Sequence, residues 1–224
     1  MGESYGYIDN FGIEVMPSSF EDAHAFSEGL AAVKIEGRWG YIAPDGSTVI
    51  ANQFICERGM AGPFREGLAR GARGGRWGHI RRSGEFAYEP RFDMALEFCE
   101  GRAVVKIGKR QGYINPAGDI VVPATYRYAH AFSDGLAAVD TGTGEAHTSV
   151  AASCETGFIN TKGEFVIPPR FLAAGNFRGG LCLVETEKGI AYIDRLGNCI
   201  WSSGWVDIGT HDPLHLYPPE SELA

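Results

Sequence analysis

The apolar residues of this chain fall in short β-branched runs broken by glycine. Leu30-Ala31-Ala32-Val33-Lys34-Ile35 is one such run; Glu36-Gly37-Arg38 interrupts it before Trp39-Gly40-Tyr41-Ile42, and Asp45-Gly46 interrupts again before Thr48-Val49-Ile50. Runs of this kind, separated by glycine-containing connectors, read as three short strands joined by hairpins. No stretch carries apolar residues at helical period over ten or more positions, so almost no helix is expected.

The pattern then returns at fixed spacing. Gly, an aromatic or His, and Ile occur together at Gly6-Tyr7-Ile8, Gly40-Tyr41-Ile42, Gly78-His79-Ile80, Gly112-Tyr113-Ile114 and Gly157-Phe158-Ile159, with a degenerate copy at Ala191-Tyr192-Ile193. Each Ile is followed four positions later by glycine (Gly12, Gly46, Gly84, Gly118, Gly163, Gly197) and twelve positions later by an aromatic (Phe20, Phe54, Phe92, Tyr126, Phe171, Trp205). A second landmark, Phe followed three residues later by Gly, stands at Phe26, Phe64, Phe98, Phe132 and Phe177, and the two landmarks together define a period of 34 residues. Insertions of four residues between Gly40 and Phe64 and of eleven around 142–153 fall in connections, as in repeat arrays generally. The expected fold is therefore all-β: one array over 1–208 of units too small to bury an apolar face alone, stacked in chain order. Because the two ends duplicate the same pair of strands, an open twisted stack is favoured; a small closed β-propeller is the alternative. The six register isoleucines should be core.

Composition narrows the setting. The chain has 224 residues, 44% of them hydrophobic, with no basic-then-apolar leader and no run approaching a membrane span. Cys56, Cys99, Cys154, Cys182 and Cys199 are odd in number and scattered, and Cys182 occupies a position held by alanine in other units, so a small core residue in a reduced, cytoplasmic protein is expected. The formal net charge of −8 disfavours nucleic acid, but it is uneven: from Arg65 to Arg82 six arginines face Glu66 alone, a local +5 that leaves −13 over the remainder.

The Phe-x-Glu-Gly-Leu-Ala strand start, Trp39-Gly40-Tyr41-Ile42, Trp77-Gly78-His79-Ile80, the turn glycine and Val166-Ile167-Pro168-Pro169 together resemble the bacterial WG-repeat family from about Gly6 to Ile208. Only two units keep the Trp; Gln111, Thr156 and Ile190 hold its place elsewhere. The resemblance implies a β-rich module and carries no catalytic residues with it.

Candidate chemistry is sparse. There is no phosphate-cradling loop, nucleophile elbow, zinc-protease His pair or Cys-x-x-Cys. His24 and His130 share one repeat position, which points to a structural or surface role. His211, Asp212 and His215 could ligate a metal, but Pro218 and Pro219 follow, and 209–224 reads as an extended tail; neither metal nor cofactor is expected. The second unit breaks its own pattern. Gly71 and Arg73 replace the Val and Ile of sister units, His79 replaces an aromatic, and Arg81 and Arg82 replace Ala43-Pro44. Arg70, Arg73, Arg76, His79, Arg81 and Arg82 form either an anion-recognising surface or a drifted, salt-bridged one. The leading functional expectation is a non-catalytic module that binds another protein, as an acidic adaptor or partner-neutralising protein. A glycan or cell-envelope module is the alternative, and an enzyme sited in the second unit lacks a nucleophile or a paired acid and base.

Overall fold

The computed structural model describes residues 4–55, 61–142 and 155–204, with no helix among them. Twenty strands form six small antiparallel sheets in this region. The first sheet pairs β1 (Tyr5–Ile8) with β2 (Glu14–Phe20). The second runs β3 (Asp22–Ala23), β4 (Ala31–Ile35), β5 (Arg38–Ile42), β6 (Thr48–Phe54). The third pairs β7 (Leu68–Arg73) with β8 (Arg76–Arg81), extended by single bridges from Ile80 to Phe86 and from Trp77 to Phe92. The fourth holds β9 (Met94–Ala95), β10 (Ala103–Ile107), β11 (Arg110–Ile114) and β12 (Ile120–Tyr126). The fifth holds β13 (Tyr128–Ala129), β14 (Ala137–Asp140), β15 (Thr156–Ile159) and β16 (Phe165–Phe171), and the sixth β17 (Ala173–Ala174), β18 (Leu181–Thr186), β19 (Gly189–Asp194) and β20 (Cys199–Ser202).

A full unit thus has four strands where the sequence predicts three. The extra strand is two residues long, as at β3 and β13, too short for alternation to register in the sequence. Among the described residues, substantial contacts between strands of different sheets all join sheets adjacent in the chain, with none between first and last, as in an open stack. The insertion at 142–153, beyond Gly142, and the tail at 209–224 lie outside the described residues.

Every joint has the same chemistry. The forward face of the second sheet, Leu30, Ala32, Trp39, Tyr41, Ile50 and Phe54, packs with Phe64, Ala69 and Ile80 on the back face of the third. In the last joint Leu136, Ala138, Phe158, Ile167 and Phe171 meet Phe177, Cys182, Val184 and Ile193. Cys182 is thus the small core residue expected from its repeat position. Two glycines explain the motif spacing. At Gly40 a Cβ would approach the Ile50 carbonyl oxygen to 2.6 Å, because β6 crosses β5 there with a shift of register. Six positions on, Gly46 has φ of +82°, which turns the chain, and a Cβ built on it would lie 3.7 Å from Met16 Sδ of the preceding sheet, so the turn packs on that sheet.

A ladder of carboxylates runs along the Phe-x-Glu-Gly turns. Glu28, Glu66, Glu100 and Asp134 hold positive φ between 51° and 54°, paired with a following glycine as in mirror-image hairpin turns. Each carboxylate accepts a hydrogen bond from the turn glycine of the next unit: Gly67 N to Glu28 at 3.0 Å, Gly101 N to Glu66 at 2.9 Å, Gly135 N to Glu100 at 2.9 Å and Gly180 N to Asp134 at 2.8 Å. The last unit carries Gly179 at this position and has no carboxylate to offer.

Five of the register isoleucines, Ile42, Ile80, Ile114, Ile159 and Ile193, are buried. Ile8 corrects the expectation: it is 68% exposed, because no sheet lies behind the first one among the described residues. Ile114→Ala should therefore cost about 2 to 5 kcal/mol in denaturant unfolding. The same change at Ile8 should cost under about 0.5 kcal/mol; equal losses at the two positions would refute the stacking assignment.

Candidate functional site

A polar bond at the register aromatic fastens four of the five apolar joints; the fifth has Phe158 there, with no hydroxyl to donate. Tyr7 Oη donates to the His24 carbonyl at 2.9 Å, Tyr41 Oη to the Gly62 carbonyl at 2.8 Å and Tyr113 Oη to the His130 carbonyl at 2.7 Å. His24 and His130 therefore serve the repeat through their backbone. His79 stands at the tyrosine position of the second unit, and its Nε2 lies 2.8 Å from the equivalent carbonyl, that of Leu96. A carbonyl only accepts, so Nε2 carries the proton and Nδ1 accepts from Tyr88 Oη at 2.5 Å. His79 is fully buried, which removes it from the candidate anion surface. Burial, with Arg70 adding repulsion and the Leu96 bond opposing, depresses its pKa to about 4, so the ring is neutral.

The arginines are engaged within the chain. Arg70 pairs with Glu97 of the next unit at 3.1 Å and lies over the Trp77 ring. Arg73 pairs with Glu89 at 2.6 Å and lies 4.8 Å over Phe86, and Arg76 pairs with Asp93. Arg81 donates to the Phe86 and Ala87 carbonyls, and Arg82 to the Glu28 carbonyl at 2.7 Å. Arg73 and Arg76 stay more than half exposed, so these pairs are screened and weak. An open depression of about 490 Å³ adjoins them, lined by Gln53, Phe54, Ala72, Arg73, Gly84, Glu85, Phe86, Tyr88 and Glu89. Position 73 is a lost apolar site by comparison along the repeat, yet the equivalent Ile35 and Ile107 are themselves exposed. The real loss is at Gly71, beside which the Phe86 ring lies. No group of three or more His, Cys, Asp or Glu side chains is placed to hold a metal among the described residues; His211, Asp212 and His215 lie outside them.

The larger departure lies at the last sheet. Leu181, Leu183, Ile190, Tyr192 and Trp201 occupy the forward positions that Leu30, Ala32, Trp39, Tyr41 and Ile50 fill in the second sheet. There all five are buried; in the last sheet all five are between 39% and 47% exposed. This face carries little local mark in the sequence because it is composed of ordinary repeat residues. Its one signal is Gly179, where every earlier turn has an acid.

The profile of the WG containing repeat matches residues 5–39, 77–110, 112–142 and 157–188, more than half of the chain, and the chain belongs to this family. The unmatched stretch 40–76 contains the disturbed strand β7. No curated protein matches the chain in sequence. Among solved structures, Hsv2p of Kluyveromyces lactis is 9% identical with a TM-score of 0.47, over 81% of this chain and 62% of that one. A eukaryotic initiation factor is 10% identical with a TM-score of 0.47, over 82% and 65%. A protein of unknown function from Bacteroides caccae is 13% identical with a TM-score of 0.35, over 90% and 91%. The chain thus spans less than two thirds of the first two, and none of the three reaches a TM-score of 0.5, so none extends the reading.

The buried imidazole generates a pH dependence. The folded pKa lies below the unfolded value of about 6.5, so the unfolded chain takes up the proton first and stability falls as pH drops. Roughly 3 kcal/mol should be lost between pH 6.5 and 4 through this group, by urea unfolding at successive pH values. The double variant His79→Tyr, Tyr88→Val, which restores the pair found at Tyr113 and Val122, should flatten that part of the profile; an unchanged slope would assign the acid sensitivity elsewhere.

Proposed function

We propose that this protein is a non-catalytic repeat module that binds another protein through the open end of its stack. The observation that carries the reading is the uncovered forward face of the last sheet, Leu181, Leu183, Ile190, Tyr192 and Trp201. These positions are the repeat's own protein-contact positions, and contiguous exposed apolar surface of this kind is characteristic of interaction sites. Tyrosine and tryptophan are also the residue types that dominate binding energy at protein interfaces. The finer reading, an acidic adaptor drawn to a basic partner, rests on the net charge of −8 and has its own mark: affinity that falls as salt rises.

The test is paired. Leu183→Glu and Arg73→Ile both change exposed side chains, so both should keep the wild-type unfolding midpoint. With a purified partner, Leu183→Glu should weaken binding at least about tenfold, roughly 1.4 kcal/mol, while Arg73→Ile leaves it within about twofold. The opposite pattern would move the site to the arginine cluster.

A further inference from the structure

The two ends of the stack carry halves of the same joint. In each joint the turn glycine of one sheet rests on the residue eight positions after the register isoleucine of the sheet before it. Gly46 lies on Met16, Gly84 on Ile50, Gly118 on Tyr88, Gly163 on Val122 and Gly197 on Ile167. Gly12, the sixth, has no atom within 4 Å of a Cβ built on it, and Trp201, the sixth partner, is 47% exposed. The register isoleucine beside each glycine packs into the same forward face, as Ile193 does against Phe158 and Ile167. Ile8 alone does not.

The first sheet is also built differently from its sisters at this turn. Phe11 and Ile13 flank Gly12, whereas every other sheet has at least one polar residue there: Asp45 and Ser47 in the second, Ser83 and Glu85 in the third, Ala117 and Asp119 in the fourth, Lys162 and Glu164 in the fifth, Leu196 and Asn198 in the sixth. Phe11 and Ile13 are both exposed, Phe11 almost completely. At the other end, Gly179 removes the carboxylate that would reach for a turn glycine on a following sheet, and among the described residues the β1–β2 sheet has no Phe-x-Glu-Gly turn to receive one. The two faces thus match in what they present and in what they omit.

We propose that the forward face of the last sheet docks the first sheet of a second copy of this chain, with Gly12 on Trp201 and Ile8 set against Leu183 and Tyr192. This rests on the reading of that face as a protein-binding site and names its occupant. The contact is heterologous, head to tail, so it propagates into a ring or an open fibre. Each copy carries a net charge of −8, so the copies repel at long range while the joint is apolar. Association therefore strengthens with salt, opposite in sign to attraction for a basic partner.

The experiment is sedimentation of the full chain across protein concentration, at about 50 and 500 mM salt, for wild type, Ile8→Asp and Leu183→Asp. Both substituted positions are exposed, and a folded state is checked by unfolding midpoint. Wild type should grow beyond the monomer with concentration, more so at high salt. Each variant alone should be monomeric, since one has no working head and the other no working tail. Their equimolar mixture should form a dimer and nothing larger. If Ile8→Asp alone still associates, the contact is tail to tail and the proposal fails. A wild-type monomer at every concentration also overturns it. In that case, truncation after 204 that releases association would assign the face to the chain's own tail. Retained sensitivity of a different protein's binding to Leu183→Glu would keep the module reading and remove only this partner.

Discussion

Everything in this structure depends on the joint between successive sheets. A sheet of two to four short strands has an apolar side chain on each face and no layer of its own to cover either. Burial comes only from the next unit, where Tyr41, Ile50 and Phe54 meet Phe64 and Ile80, or Phe158 and Ile167 meet Phe177 and Ile193. Each large side chain buried this way contributes about 1.5 to 3 kcal/mol, so the joints, and not the hairpins, hold the stack. The tyrosine hydroxyl bonded to the next unit's backbone adds direction to that burial, because it is satisfied only when the next strand is in register.

The carboxylate ladder links local strain to the same joint. A glutamate at positive φ is disfavoured by roughly 1 to 2 kcal/mol, and a second glycine would turn the chain without that cost. Four units nonetheless place an acid there, and in each the carboxylate accepts from the following unit's turn glycine. The strained turn is thus tied to inter-unit bonding. Gly179 in the last unit shows the alternative: an unstrained turn with no reach.

The second unit illustrates how a repeat absorbs damage to its pattern. Loss of the valine at Gly71 is met by the Phe86 ring, loss of the apolar residue at Arg70 by an ion pair to Glu97, and loss of the tyrosine at His79 by a histidine held between Tyr88 and the Leu96 carbonyl. Each replacement comes from a residue distant in sequence or in the next unit. Read along the chain, these positions are departures that could signal function. In three dimensions each has a partner inside the protein.

The all-β class, the 34-residue period, the order of the strands and the inward isoleucines were legible in the sequence, because side-chain alternation and turn glycines are local and the repeat prints them six times. Burial is not local. Ile8 and Ile114 end the same Gly-Tyr-Ile tripeptide, yet one is exposed and the other buried, since among the described residues only the second has a sheet behind it. The two-residue strands, the proton on His79 Nε2, the partners of the arginines and the uncovered face at Leu183, Tyr192 and Trp201 were likewise decided by which units meet and which end of the stack meets nothing among the described residues. A repeat tells each unit how to pack on its neighbours, and only the assembled stack determines which units have neighbours to pack on.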